Sequence, residues 1–151
     1  AAVLLLARPT LRSLAIGGVI AASGEVLRIW AAGHLEKGKE VTRSGPYRFT
    51  RHPLYLGSAI LGVGGAVAAA RASVAALIAV YLASTIVSAI RTEESGMRAA
   101  FGDQYDAYLE ARAQPAVRRF SLDRAIRNRE YRAVAGLAAV AAILAAKAAF
   151  K

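Results

Sequence analysis

Four long apolar stretches alternate with strongly basic ones along this chain. Ser13 to Ala32 is apolar but carries Glu25 and Arg28, and Leu54 to Ala70 runs 17 residues without a charge. Ser73 to Ile90 runs 18 residues without a charge. Ala133 to Ala146 adds 14, or 20 counted from Tyr131 to Phe150 with Lys147 near the far end. A helix rises 1.5 Å per residue, so about 20 residues cross the hydrocarbon core of a bilayer. The middle pair therefore predicts two slightly short spans, with weaker spans on either side. The last segment has a second reading, as a helix lying in the interface with Lys147 reaching out to water. Only Arg71 and Ala72 separate the middle pair, which predicts a tight helical hairpin. Small residues recur on its first arm (Ser58, Gly62, Ala66) and on its second (Ala79, Ala83, Val87). Such stripes favour close packing of helices in lipid. The predicted fold class is all-α: a polytopic helical membrane protein with a tight hairpin, flanking spans and cytoplasmic interfacial helices. As one domain over 1–151, it divides into a span (13–32), a loop (33–53), the hairpin (54–91), helices with a basic linker (92–130) and a C-terminal membrane helix (131–150).

Composition agrees with that pattern. Hydrophobic residues make up 56% of the 151, more than a soluble domain carries. The chain has no cysteine, which excludes disulfides, thiolate chemistry and zinc-thiolate sites. His34 and His52 are too few for a histidine metal cage, so no metal site is expected. The sequence starts at Ala1 without methionine and runs straight into an apolar stretch, which points to a missing N-terminal piece, such as another span. The net charge of +10 changes the picture through its placement. The 33–53 loop holds Lys37, Lys39, Arg43, Arg48 and Arg51. The 91–132 segment holds Arg91, Arg98, Arg112, Arg118, Arg119, Arg124, Arg127, Arg129 and Arg132. A hairpin brings both to one side of the membrane, leaving Arg8, Arg12, Arg71, Lys147 and Lys151 on the other. Fourteen cations against five put the richer side in the cytoplasm, as for a bacterial inner-membrane protein. The excess charge then serves topology and attraction to anionic headgroups of membrane lipids. No basic platform interleaved with aromatics appears, so nucleic acid is not an expected partner. Glu25 and Arg28, three apart on one helical face, are expected to pair with each other near the cytoplasmic end or to line a site shared with the loop.

The chemistry-bearing residues gather around one loop, Ser44-Gly45-Pro46-Tyr47-Arg48-Phe49-Thr50-Arg51-His52-Pro53-Leu54-Tyr55. Gly45-Pro46 marks a turn, and Pro53 suits the first position of a helix. Arg51 and His52 then stand at a helix start, whose free N–H groups favour anions. The second hairpin arm ends at Arg91-Thr92-Glu93-Glu94, which the hairpin returns to the level of His52. A cationic helix start, two tyrosines and a carboxylate pair can bind a zwitterion such as S-adenosylmethionine. Its carboxylate suits Arg51 or the helix start, its amino group or ribose hydroxyls suit Glu93, and its sulfonium suits an aromatic face. Structural roles are equally open to these residues: His52 as a helix cap, Tyr55 as an interfacial anchor, Glu93 and Glu94 as partners of Arg91 and Arg98. Beyond Met97, a short helix, a break at Gly102 and an amphipathic helix are expected. Phe101, Tyr105, Tyr108 and Leu109 share the apolar stripe of that region, packed on the hairpin.

Taken in order, Gly-Pro-Tyr, Arg-His-Pro-x-Tyr-x-Gly, Glu-Glu and Phe-Gly-x-x-Tyr-x-x-Tyr resemble the isoprenylcysteine carboxyl methyltransferase and phospholipid methyltransferase superfamily, over about Gly33 to Arg112. The resemblance implies a multi-span helical enzyme without a Rossmann domain, using S-adenosylmethionine on the cytoplasmic side and admitting a lipophilic or prenylated substrate from the bilayer. By position it implies cofactor contacts from Tyr47, from His52, Pro53, Leu54 and Tyr55, from Glu93, and from the strip Lys39, Glu40, Val41 and Thr42. Lys39 stands where the prenylcysteine enzymes have a histidine. Ala89 falls near their substrate-serving arginine, with Arg91 two residues away. No general base is evident beyond His52 and Glu94, so Arg91 and Glu94 are the candidates for a catalytic role. Methyl transfer is a direct displacement, for which positioning and a dry site supply much of the rate. Two other classes are open to the sequence: an NADPH-dependent membrane reductase of the steroid-reductase-like type, and a non-enzymatic scaffold whose basic face binds anionic lipid.

Overall fold

The computed structural model describes residues 2–114 and 116–150, and among these every regular element is helical. A short helix α1 (Ala2–Leu6) leads to α2 (Leu11–Ala32). Thr10 starts α2 by accepting from the Ser13 N–H while the Ser13 hydroxyl accepts from the Thr10 N–H, a reciprocal cap of the first turn. A loop with a single 3-10 turn (Gly45–Arg48) follows. Then come α3 (Pro53–Ala69), α4 (Ala72–Phe101), α5 (Asp103–Leu109), α6 (Leu122–Arg127) and α7 (Tyr131–Ala149). Helices α2, α4 and α7 are long and apolar enough to cross a membrane, and α3 is a shorter apolar helix. The chain is a polytopic helical membrane protein. Its apolar side chains point outwards as lipid-facing residues do, among them Val19, Val26, Val80, Tyr81 and Ile143.

The α3–α4 turn is tight, with Ala70 in the left-handed region (φ 50°) and Arg71 extended. Yet the closest helix contact is α2 against α3. A Cβ on Gly64 would sit 2.5 Å from the Ala21 nitrogen, and one on Gly24 would sit 2.7 Å from the Gly57 carbonyl. The two backbones therefore touch along most of their length, the arrangement that small residues permit in lipid. Of the expected α3 stripe, Gly62 does face α4, against Leu82. Helix α4 also runs beyond the expected 91 to Phe101, continuing through Gly96 and ending only at Gly102 (φ 43°). Its 30 residues make it about 45 Å long, so its last turns stand clear of the bilayer.

Both ends of the bundle are tied by polar contacts. At one end the Arg8 N–H donates to the Ala69 carbonyl (2.8 Å) and Arg71 donates to the Leu6 carbonyl (3.1 Å). Lys147 donates to the Leu4 and Leu5 carbonyls at 2.9 and 2.6 Å. Helix α7 therefore packs beside α2 and α1, is long and apolar enough to cross a membrane, and Lys147 caps open carbonyls of the α1 segment. Around this end Ala7, Ala68, Ala69, Val74 and Leu144 form the buried core. At the other end the carbonyls that finish α2 receive side chains from the basic linker. Asn128 donates to Ala32 and Leu35 (both 2.9 Å), and Arg124 donates to Gly33. Cationic and amide donors at a helix C-terminus satisfy groups that have no partner within the helix.

Candidate functional site

The loop between α2 and α3 is held in shape by buried groups, among them His34, Ser44, Pro46 and Tyr47. His34 Nδ1 lies 3.0 Å from Ser44 Oγ, and its ring packs against Gly45, where a Cβ would come within 2.5 Å. Gly45 also has φ +57°, so both space and conformation ask for glycine. The Pro46 and Tyr47 that follow are buried, and burial, with Glu93 the next cause, pushes the Tyr47 hydroxyl pKa well above its ordinary value. Tyr108 of α5 donates to the Tyr47 carbonyl at 2.9 Å, and Arg51 donates to the Leu109 carbonyl at 2.8 Å. Helix α5 thus packs on the loop rather than on the hairpin alone, with Tyr105 buried beneath it. Burial raises the pKa values of Tyr105 and Tyr108, so all three hydroxyls stay neutral donors at any physiological pH.

Pro53 opens α3 at its first position, leaving His52 as the preceding residue with no side-chain cap to the helix. The His52 ring is free to turn outwards instead. Its Nε2 lies 3.0 Å from Glu94 Oε1 of α4, and its ring centroid is 5.8 Å from that of Tyr55. Glu93, one residue earlier, lies against the Tyr55 hydroxyl. So the structure brings Tyr47, Arg51, His52, Pro53, Tyr55, Glu93 and Glu94 to one end of the bundle. Leu54 lies on the other side of the α3 start, where its carbonyl faces Arg28 (3.5 Å). Arg91 is exposed one turn back along α4.

The strip Lys39 to Thr42 stands apart from that cluster. Lys39 is 78% exposed and reaches only Glu36, at 3.8 Å. Glu40 is bound by Arg118 of the basic linker at 2.7 Å. Thr42 is buried and its Oγ1 accepts from the Glu36 N–H at 3.2 Å. Glu40 and Val41 line a cleft of about 310 Å³ with Arg43, Gln104 and Ala107, on the opposite side of α5 from Tyr105. Among the described residues there is no cluster able to hold a metal ion.

Two features went unseen in the sequence. Arg28, expected to pair with Glu25, takes Glu130 as its main partner (2.7 Å), also donates to Ser58, and keeps Glu25 at 3.6 Å. Glu130 lies outside the motifs, and its only signal was its place just before the last apolar run. The basic linker likewise packs back on the loop through Phe120 on Gly33 and Arg118 on Glu40.

The chain, whose proline-framed loop and α3 start meet the Glu-Glu pair of α4, matches a family model, that of phospholipid methyltransferase, over residues 13–104. The chain belongs to that family. The matched region holds nearly all of α2, the loop, α3 and all of α4, so it contains both halves of the His52–Glu94 contact. It stops at the start of α5, and α6, α7 and the basic linker lie outside it. Family membership makes the chain an integral-membrane methyltransferase in class. No curated protein and no solved structure matches the chain.

Proposed function

We propose that this phospholipid methyltransferase family member moves a methyl group from S-adenosylmethionine to a lipophilic acceptor at the cytoplasmic face of the membrane. The observation that carries the reading is the meeting of the α3 start with Glu93 and Glu94. There, among the described residues, neither Arg51 nor Glu93 has an oppositely charged partner within ion-pair distance. A zwitterion offers each of them a partner. Arg51 and the open N–H groups of α3 would hold its carboxylate. Glu93 would hold its amino group or ribose hydroxyls. The neutral faces of Tyr47 and Tyr55 suit a sulfonium. Pro53 and Leu54 shape the helix start against which the ligand lies. Lys39, Glu40, Val41 and Thr42 would close the other side of the loop, Glu40 already fixed by Arg118.

S-adenosylmethionine supplies an electrophilic methyl whose transfer breaks the S–C bond as the acceptor's lone pair forms the new one. The protein's part is to position the acceptor in line and to keep water out. Where the acceptor is a hydroxyl, thiol or ammonium, a proton must leave, and His52 paired with Glu94 is a group able to take it. Arg91, exposed on the same helix, is placed to meet an anionic part of the acceptor.

The test is a labelled-methyl assay on membranes containing the chain, followed by lipid extraction. Label from S-adenosylmethionine in the lipid phase is the expected result. Absence of label in both lipid and peptide, with heat protection by NADPH instead, would replace this reading with a reductase.

A further inference from the structure

Along the membrane-facing side of α2 and α3 runs a groove of about 310 Å³, closed on its third side by α7 and lined almost wholly by carbon. Three of its walls are glycine where the protein does not need one. A Cβ on Gly18 or on Gly136 would meet nothing within 4 Å, and one on Gly65 would reach only Ile78 at 3.9 Å. Glycine inside a helix costs about 1 kcal/mol relative to alanine. Gly17 and Gly64, beside them, are forced by backbone contact, whereas Gly18 and Gly136 hold open space that no part of the chain fills.

The groove has a length and a polar end. On α7 it runs from Ala133 to Leu144, roughly 16 Å at the helical rise, which is the depth of one leaflet of a 30 Å core. At its loop-side end the next turns of the same helices carry the ionic cluster: Glu25 follows Ala21, Glu130 precedes Ala133 and Ser58 precedes Leu61. Two carboxylates there face one guanidinium. Both oxygens of Glu25, which is only 5% exposed, lack a hydrogen-bond partner among the described residues, and 3.6 Å to Arg28 is too long for one. A buried carboxylate without a donor is costly, so this position asks for a donor from outside the chain. Arg28 in turn touches the Leu54 carbonyl and Ser58, which places the cluster on the first turns of α3, across that helix start from His52.

We infer that this groove seats the methyl acceptor: one hydrocarbon chain lies between α2, α3 and α7, with a hydrogen-bond donor of its polar end on Glu25. The inference rests on the methyl-transfer reading for the word acceptor, and on the groove alone for the chain. It also gives α7, which lies outside the family match, a part in the site. The cluster's excess of negative charge selects a neutral or cationic donor over an anionic head at this position.

The experiment uses the full chain in lipid nanodiscs and a C16 alcohol bearing a photoactivated diazirine near its chain end. Label in the wild type is expected in peptides of α2 or α7. Gly136→Leu and Gly18→Leu, at positions where an added Cβ meets nothing within 4 Å, should lower that label at least fivefold. S-adenosylhomocysteine affinity should stay within twofold, which shows that the variants are folded, and methyl incorporation into lipid should fall in parallel with the label. Glu25→Gln should weaken labelling by the alcohol about threefold and leave labelling by the alkane of equal length unchanged. Equal labelling in wild type and both leucine variants would overturn the groove as a chain site. Lost labelling with full methyl incorporation would overturn the acceptor's place there. A wild type that takes the label but binds no S-adenosylhomocysteine would instead overturn the methyl-transfer reading and leave the chain site standing.

Discussion

His34 shows how a residue with no evident chemistry can govern the loop that carries it. It is 4% exposed, bound to Ser44, packed by Phe120 (ring centroids 6.4 Å apart), and its carbonyl accepts from Arg118 at 3.2 Å. Burial, and then the nearby Arg124 and Arg118, hold its pKa below the ordinary 6.5. The unfolded chain therefore binds more protons between that lowered value and 6.5. The associated stability is complete above about 6.5 and is lost as pH falls through this window. Glu36 acts in the same direction at lower pH, its pKa depressed first by the hydrogen bond from Arg124. Hydrogen exchange in the 116–130 segment, corrected for intrinsic rates, should be at least threefold faster at pH 5.5 than at pH 7.5. In His34→Gln the difference should flatten. None of this was legible in the sequence, where His34 counted only against a metal cage. Its partners stand 10 and 84 positions away, and no local pattern links them. Tyr47, His52, Tyr55 and Glu93 stood out because their spacing within motifs is local.

At the scale of helices, the spans were legible from uncharged run lengths, while the choice of neighbour was not. Small residues mark a face able to approach another backbone, but lipid-facing chains give no hydrophobic contrast to say which helix takes it. The stripe on α3 reads as a partner for α4, and α2 takes the closest contact because Gly17 and Gly24 supply the matching hollows. Gly64→Val should destabilise the protein by about 1–3 kcal/mol or more, since its new atoms meet the Ala21 nitrogen and the Gly17 carbonyl. Gly96→Ala, on an open part of α4 with nothing within 4 Å, should raise stability by up to about 1 kcal/mol. Thermal unfolding in one detergent compares the two. A neutral Gly64→Val would mean that the α2–α3 seam is looser than its backbone distances imply.

For the molecule as a whole, the two ends differ in charge and in task. The loop, the last turns of α4, α5 and the basic linker share one end, and the α1 segment, the Ala70–Arg71 turn and the end of α7 share the other. The linker's role in tying these parts was hidden in the sequence, because arginines in a basic run do not reveal whether they face lipid, water or carbonyls. The proposed orientation, with the loop end in the cytoplasm, rests on the positive-inside rule. The chain has no native cysteine, so this can be checked directly. Lys37→Cys should react with a membrane-impermeant thiol reagent only from the cytoplasmic side, and Arg12→Cys only from the other. The central claim, that the α3 start and the end of α4 together hold the methyl donor, is tested most directly by calorimetric titration of S-adenosylhomocysteine into the detergent-solubilised chain. The wild type should bind, and Glu93→Ala and His52→Ala should each weaken binding at least tenfold, which is about 1.4 kcal/mol or more. Unchanged affinity in both variants would contradict it.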